Sequence, residues 1–93
     1  MNINQELTDK EIEEILGRYN ASSPGEWKSY IEGRDHESGS DFIMIGTGEN
    51  RRDDIELTGA TKQDQDFIAH SKQDIPKLIN EIKRLKKIIN NEV

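Results

Sequence analysis

The apolar periodicity of residues 74–91 constrains the fold of this chain more strongly than any other feature. Apolar side chains fill the a and d positions of a heptad repeat, which are Ile75, Leu78, Ile82, Leu85 and Ile89. This set, the C-terminal seam, is typical of a helix that packs against another helix. Ile79 and Ile88 widen the apolar stripe beyond what a two-stranded coiled coil needs. We therefore expect one side of the helix to cover the protein's own core and the seam to meet a second copy.

The composition also favours self-association. A chain of 93 residues makes one small domain, and its hydrophobic content of 31% is low beside a charged content of 34%. Burial of the C-terminal seam between copies would offset this shortage of apolar side chains. We therefore predict that residues 1–93 form a single domain that assembles as a homo-oligomer.

Charge is divided unevenly along the chain, whose net charge is −6. Residues 1–66 contain seven lysine or arginine residues and sixteen aspartate or glutamate residues, a net charge of −9. Residues 67–93 contain six and three, a net charge of +3. General nucleic-acid binding needs clustered cations, so the acidic body argues against it. The basic C-terminal stretch is typical of a solvated helix face.

Signals for secretion and for membrane insertion are missing from the sequence. The chain contains no cysteine, and its first residues lack the basic and apolar regions of a signal peptide. No apolar run approaches the roughly 20 residues that span a bilayer. We therefore expect a cytoplasmic protein with no membrane partner.

Local signals in the first two thirds of the chain predict a helix followed by a sheet. Thr8 and Glu11 match a capping box that starts the first helix, and the turn-forming residues 20–25 end it. Strands are predicted at residues 26–31, 42–46 and 55–57, most simply as an antiparallel meander. The run at 42–46 is the most apolar, which indicates a central strand covered on both faces.

Two further helices are expected after the sheet, which makes the fold class α+β. Thr61 is a suitable N-cap for the first, in which Phe67, Ile68 and Ser71 are predicted to face inward. Pro76 has no N–H to donate and clashes with the carbonyl four residues earlier, so we predict a break near residues 73–75. The helix that carries the C-terminal seam then starts with Pro76 in its first turn.

The loop at residues 34–40 is the first candidate binding site. It places Arg34, His36, Ser38 and Ser40 around a glycine turn, where side chains and backbone amides can hold a phosphate. The alternative is a solvated hairpin loop with a local ion pair between Arg34 and Glu37.

Aromatic and basic residues elsewhere supply further candidates. Trp27 and Tyr30 lie on opposite faces of the first predicted strand, so one ring can join the core while the other stacks on a base. The alternative is that both rings only pack. Arg51 and Arg52 can clamp a phosphate, or they belong to an ordinary polar turn beside two aspartates.

Catalytic and metal-binding arrangements have less support. His36, His70 and Asp41 are of types that bind zinc or manganese, but the histidines lie in different elements and lack the i, i+4 spacing of a zinc protease. A Ser-His-Asp triad built from Ser38 or Ser40 with His70 and Asp41 has no nucleophile elbow. We therefore expect no catalytic residue, no metal and no cofactor.

Two segments of the chain resemble small phage and prophage early-region accessory proteins. Residues 21–27 (ASSPGEW) are similar to an A-T-P-G-P-W-like turn, and residues 65–85 (QDFIAHSKQDIPKLINEIKRL) to a D-F-I-A-x-A-R-x-D-I-P-x-L-L-x-E-I-x-R-L-like C-terminus. Ser23 and Glu26 depart from the first motif, and Ser71 and Lys72 stand in place of Ala-Arg in the second. The resemblance implies a phage accessory role in the host cytoplasm, for which suppression of host defence is an expected class.

These observations lead to three functional hypotheses. The first, which we favour from the sequence, is a non-catalytic oligomer that sequesters a small nucleotide-like signalling molecule. Its expected ligand contacts are Tyr30, Arg34, His36, Ser38, Ser40, Arg51 and Arg52. The second is an acidic interaction module that binds and inhibits a host protein. The third, a metal-assisted hydrolase of a nucleotide signal, has the weakest support.

Overall fold

Two α-helices, a short 3-10 helix (Gly48–Asn50) and a three-stranded sheet make up the part of the chain that the structure describes, residues 6–91 of a computed structural model. The elements in chain order are helix α1 (Asp9–Ala21), strand β1 (Trp27–Tyr30), strand β2 (Phe42–Ile45), strand β3 (Arg52–Ile55) and helix α2 (Lys62–Asn91). The predicted α+β class is confirmed, whereas the predicted number of helices is wrong because α2 is one continuous helix.

Helix α1 begins at the predicted capping box. The Glu11 amide donates to Thr8 Oγ1 at 3.1 Å, and the Thr8 amide donates to a Glu11 carboxylate oxygen at 3.2 Å. These bonds satisfy two of the amide groups that every helix start leaves without partners. Ile12, on the inner face of α1, is buried. The capping prediction is therefore confirmed.

Helix α1 runs antiparallel to the C-terminal half of α2. Lys86 Nζ lies 2.8 Å from an Asp9 carboxylate oxygen, and Lys83 Nζ lies 3.4 Å from a Glu13 carboxylate oxygen. Because these groups are exposed, such pairs contribute little free energy. Apolar burial contributes more, and Ile12 of α1 and Ile79 of α2 are both buried.

The sheet is the predicted antiparallel meander with strand order β1-β2-β3. Trp27 lies opposite Ile45, and Tyr30 lies opposite Phe42. In β2, Ile43 and Ile45 are buried, whereas Phe42 and Met44 on the other face are only half-buried. The expectation that both faces of β2 are covered is therefore wrong, since only one face meets α2.

Strand β3 also departs from its predicted position. It spans Arg52–Ile55 rather than residues 55–57, and its register with β2 shifts between Ile43 and Ile45. Residues 52–54 are charged and exposed, so they lack the alternation of apolar and polar residues from which a strand is predicted. Charged side chains are common on an edge strand, where they oppose pairing with another chain.

Helix α2 continues through Pro76 without the predicted break. A proline in a helix interior removes one backbone hydrogen bond and costs about 3 kcal/mol. Contacts on both sides of the proline offset this cost, because Ala69 is buried before it and Ile79 after it. The proline is thus accommodated inside α2 by tertiary packing.

The face of α2 that meets the sheet is more polar than predicted. Gln65, Ala69 and Lys72 are buried on it, whereas Phe67 is 76% exposed. The prediction that Phe67 faces inward is wrong, because specific polar contacts with β1 and β2 set the rotation of the helix. Ala69 has a small side chain, which lets the helix approach the sheet closely.

Candidate functional site

The loop between β1 and β2 folds onto itself through hydrogen bonds. The Ser38 amide donates to His36 Nδ1 at 3.1 Å, and the Gly39 amide donates to a Glu32 carboxylate oxygen at 2.7 Å. Asp41 accepts a bond from the Glu32 amide at 2.8 Å. Two of the amides that were expected to hold a phosphate, those of Ser38 and Gly39, therefore already have protein acceptors.

Arg34 in this loop is held by two carboxylates. Its guanidinium donates to both oxygens of Asp66 on α2, at 2.8 and 3.0 Å, and its Nε donates to Asp35 at 2.9 Å. The hydrogen bonds from Arg34 lower the pKa of Asp66 to about 2 and lower the pKa of Asp35, while Asp66 and Asp35 raise the pKa of Arg34. This network ties the loop to α2. The local ion pair between Arg34 and Glu37, which was the alternative considered from the sequence, is not formed.

Tyr30 and His36 meet beside Phe42 on the uncovered face of the sheet. The rings of Tyr30 and Phe42 stack with centroids 5.2 Å apart, and the His36 ring meets the edge of Phe42 at 5.0 Å. The Tyr30 and His36 centroids are 6.1 Å apart. Of the predicted ligand contacts, the structure thus groups Tyr30 and His36 with the loop that carries Arg34, Ser38 and Ser40.

Arg51 and Arg52 lie at the other end of the sheet. Arg52 pairs with Ile45, whereas Tyr30 pairs with Phe42, so about 10 Å of strand separates the two positions. The structure does not bring these arginines to the Tyr30 loop. Arg51 donates to both carboxylate oxygens of Asp54, at 3.0 and 3.1 Å.

A separate hollow of about 480 Å³ lies beside these two arginines. Its walls are the Pro24-Gly25 turn and residues 49–52. Gly46 shapes this corner, since it has φ of +70° and a Cβ there would lie 2.6 Å from the Asn50 carbonyl oxygen. The hollow is thus lined by two arginines and one glutamate, Glu49.

The metal site considered from the sequence does not form among residues 6–91. No group of three or more histidine, aspartate or glutamate side chains in this range is placed to hold a metal ion. His70, which the metal and triad alternatives both need, is an exposed residue of α2.

A larger apolar groove lies between α1 and α2. It has a volume of about 570 Å³ and is lined by Leu7, Ile15, Arg18, Tyr19, Ser22, Trp27, Ser71, Lys72, Ile75, Leu78, Ile79 and Ile82. At its inner end, Lys72 is 8% exposed, and its ammonium lies 4.2 Å from the Tyr19 ring centroid and 5.4 Å from that of Trp27. Burial lowers the pKa of Lys72.

Sequence reasoning missed the groove because it treated Lys72 only as a departure from a motif. A signal was present, since Lys72 lies three residues after the buried Ala69 and seven before the buried Ile79. This spacing places a lysine on the inward face of the helix. Such a lysine must either be paired or lie against aromatic rings, as it does here.

The C-terminal seam remains largely uncovered in one copy of the chain. Leu78 is 63% exposed and Ile89 is 62% exposed, with Ile75 and Leu85 also exposed and Ile82 half-buried. Ile79, which flanks the seam, is buried. One side of α2 therefore covers the core as predicted, and the other presents a line of apolar side chains from Ile75 to Ile89.

Comparison with known proteins adds no family to this description. Neither protein-family models, curated proteins nor solved structures gave a match to the chain. Within residues 6–91 no helix is both long and apolar enough to cross a bilayer. The fold and its surfaces are therefore the basis for a functional proposal.

Proposed function

We propose that this protein is a non-catalytic, homo-oligomeric phage accessory protein that binds and inhibits a host protein in the host cytoplasm. The observation that carries the proposal is the exposed C-terminal seam, which continues from the α1–α2 groove to Ile89. From Ile75 to Ile89 a helix rises about 21 Å. An apolar line of that length suits a helix from another chain better than it suits solvent.

The seam supports assembly, and the acidic body supports recognition of the partner. Lys83 and Lys86 pair with Glu13 and Asp9 of α1, so part of the positive charge of α2 is matched within the chain. Exposed acidic residues in and beside β3 include Glu49, Asp53 and Glu56. An acidic surface accelerates association with a basic partner and makes the complex sensitive to salt.

The assembly half of the proposal is tested with Leu85→Asp combined with Ile89→Asp. We expect wild-type protein to sediment as an oligomer and this double variant to sediment as a monomer with wild-type helix content. The matched control is Asn80→Asp combined with Asn90→Asp, which adds the same charge at exposed positions of α2. A control variant that dissociates equally would show that charge, rather than the seam, governs assembly.

The partner half is tested with Glu49→Gln, Asp53→Asn and Glu56→Gln together. Wild-type protein should retain one stoichiometric partner from host lysate, and the purified chain should inhibit that partner's activity. With purified components, the triple variant should bind about tenfold more weakly at low salt and lose most of the salt dependence. Unchanged affinity in the triple variant would place recognition elsewhere.

Sequestration of a nucleotide-like signal is the second candidate, and the hollow beside Arg51 and Arg52 is the observation that favours it. Because Arg34 is already bound to Asp35 and Asp66, we shift the phosphate contact from that loop to Arg52. Equilibrium dialysis with cyclic ADP-ribose and with cyclic di-AMP tests this candidate against Arg52→Gln and Arg34→Gln. Weaker binding only in Arg52→Gln, with intact nucleotide recovered, would support sequestration by this hollow. Absence of binding by wild-type protein would contradict it for these probes.

A further inference from the structure

The α1–α2 groove is an open, mainly apolar hollow that carries positive charge. Its side chains are mainly aliphatic or aromatic, and its volume of about 570 Å³ is within the range of ligand pockets. In a chain with a net charge of −6, the residues among 6–91 that line the groove include two cations, Arg18 and Lys72, and no aspartate or glutamate. The charge of the groove is thus opposite to that of the whole chain.

Lys72 gives this groove a defined polar end. Its ammonium donates to the Ser22 hydroxyl and otherwise faces the rings of Tyr19 and Trp27. No carboxylate in residues 6–91 forms a salt bridge with Lys72. A buried cation is normally paired, because removal of its hydration shell disfavours the charged form. The lowered pKa of Lys72 is consistent with this unpaired state.

We propose that the α1–α2 groove binds an amphiphilic carboxylate, with its anionic head on Lys72 and the Ser22 hydroxyl and its apolar body between the helices. The single buried cation matches one negative charge. The body lies along Ile15 of α1 and Ile79 of α2, and Arg18 at the rim provides a second attraction for anions. Binding provides Lys72 with a carboxylate partner and removes apolar groove surface from water.

This inference goes beyond the proposed function, which concerns protein partners. The groove shares Ile75, Leu78 and Ile82 with the C-terminal seam, so a second copy on the seam covers its open side. The residues that define the ligand site, Lys72 and Ile15, are outside the seam. The ligand site and the assembly can therefore be tested by separate substitutions.

The test uses octanoate and its neutral analogue octanamide as probes. Trp27 is the single tryptophan of the chain and lines the groove, so its fluorescence reports binding directly. Calorimetry gives the stoichiometry in the same samples. We expect one octanoate per chain, bound at least tenfold more tightly than octanamide.

Substitution of Lys72 tests the role of the charge. Lys72→Met keeps an unbranched apolar side chain and should weaken octanoate binding about tenfold or more while leaving octanamide binding unchanged. Lys87→Met, an exposed position of the same helix, is the matched control and should bind octanoate as the wild type does. Equal affinity of wild-type protein and Lys72→Met for octanoate would overturn the proposal, as would several octanoates per chain.

A second variant keeps the proposal falsifiable if Lys72→Met does not fold. Ile15→Gln places an amide on the groove wall and should weaken both probes several-fold. Sedimentation of wild-type protein with and without octanoate separates the two proposals. An oligomer that binds no octanoate would refute the ligand site and leave the seam intact, whereas a monomer that binds octanoate would refute the seam alone.

Discussion

Two polar side chains of α2, those of Gln65 and Gln73, join that helix to the sheet at fixed positions. Gln65 Nε2 lies within 3.2 Å of Ser29 Oγ and of the carbonyl oxygens of Tyr30 and Phe42. Gln73 accepts from the Trp27 amide and donates to the Trp27 carbonyl, both at 3.0 Å, so it closes the free edge of β1. Lys72 lies between them and faces the groove.

Replacement of Gln65 by alanine should destabilise the protein by about 2 kcal/mol. The substitution leaves the Tyr30 and Phe42 carbonyls without this donor in a buried place, which costs about 1–3 kcal/mol. Urea unfolding at pH 7 measures the change. Gln63→Ala, at an exposed position of the same helix, is the control and should change the free energy of unfolding by less than about 0.5 kcal/mol. Equal effects of the two substitutions would contradict the assigned contacts.

Asp66 should make stability depend on pH in the acid range. In the folded chain Arg34 holds the pKa of Asp66 at about 2, below the ordinary value of 3.8. The stabilisation from the ionised carboxylate is therefore fully present above about pH 4 and is lost as the pH falls towards 2. Urea unfolding of Asp66→Asn should show a deficit at pH 6 that shrinks at pH 2.5, and Arg34→Gln should behave in the same way. A deficit independent of pH would contradict the ion pair.

At the scale of elements, local signals were sufficient where a short-range bond decides the structure. The capping bonds of Thr8 and Thr61 formed as predicted, and the meander followed from the order of its strands. Long-range contacts decided the rest. The rotation of α2 depends on the bonds of Gln65 to two strands, and its continuity depends on packing at Ala69 and Ile79. Neither the rotation nor the continuity of α2 can be predicted from the periodicity of its sequence alone.

The candidate sites also divide into those that local residues define and those that depend on long-range contacts. The sequence identified the residues of the Arg34 loop, but the partner of Arg34 is Asp66, which is 32 residues away in the chain. It identified the seam because seven-residue periodicity is a local property. It missed the groove because Tyr19, Trp27 and Lys72 come from three different elements.

Replacement of Pro76 by alanine should stabilise the protein by about 1–2 kcal/mol. Alanine restores an amide that can donate to the Lys72 carbonyl, and the gain is reduced because the unfolded chain becomes more flexible. Thermal and urea unfolding measure the effect. Pro24, the other proline of the chain, lies in the turn before β1, and Pro24→Ala should be destabilising by about 0.5 kcal/mol. A destabilising effect of Pro76→Ala would show that the helix requires the proline.

At the scale of the whole molecule, the shape suits assembly. The described chain extends 57 Å along its longest axis and only 19 Å along its shortest. The core is small, with six buried hydrophobic residues among residues 6–91. A thin molecule with exposed apolar residues along its long helix gains stability when a second copy covers them. The proposed function as a homo-oligomer therefore requires that the C-terminal seam is covered in solution.

Native mass spectrometry of the wild-type protein over a range of concentrations tests this claim most directly. We expect one defined oligomer that persists at low micromolar concentration, because apolar burial along about 21 Å of helix stabilises the assembly. Dissociation of the same sample in denaturant would also reveal any bound small molecule by its mass. A monomer at every concentration, with native helix content, would contradict self-association through the C-terminal seam.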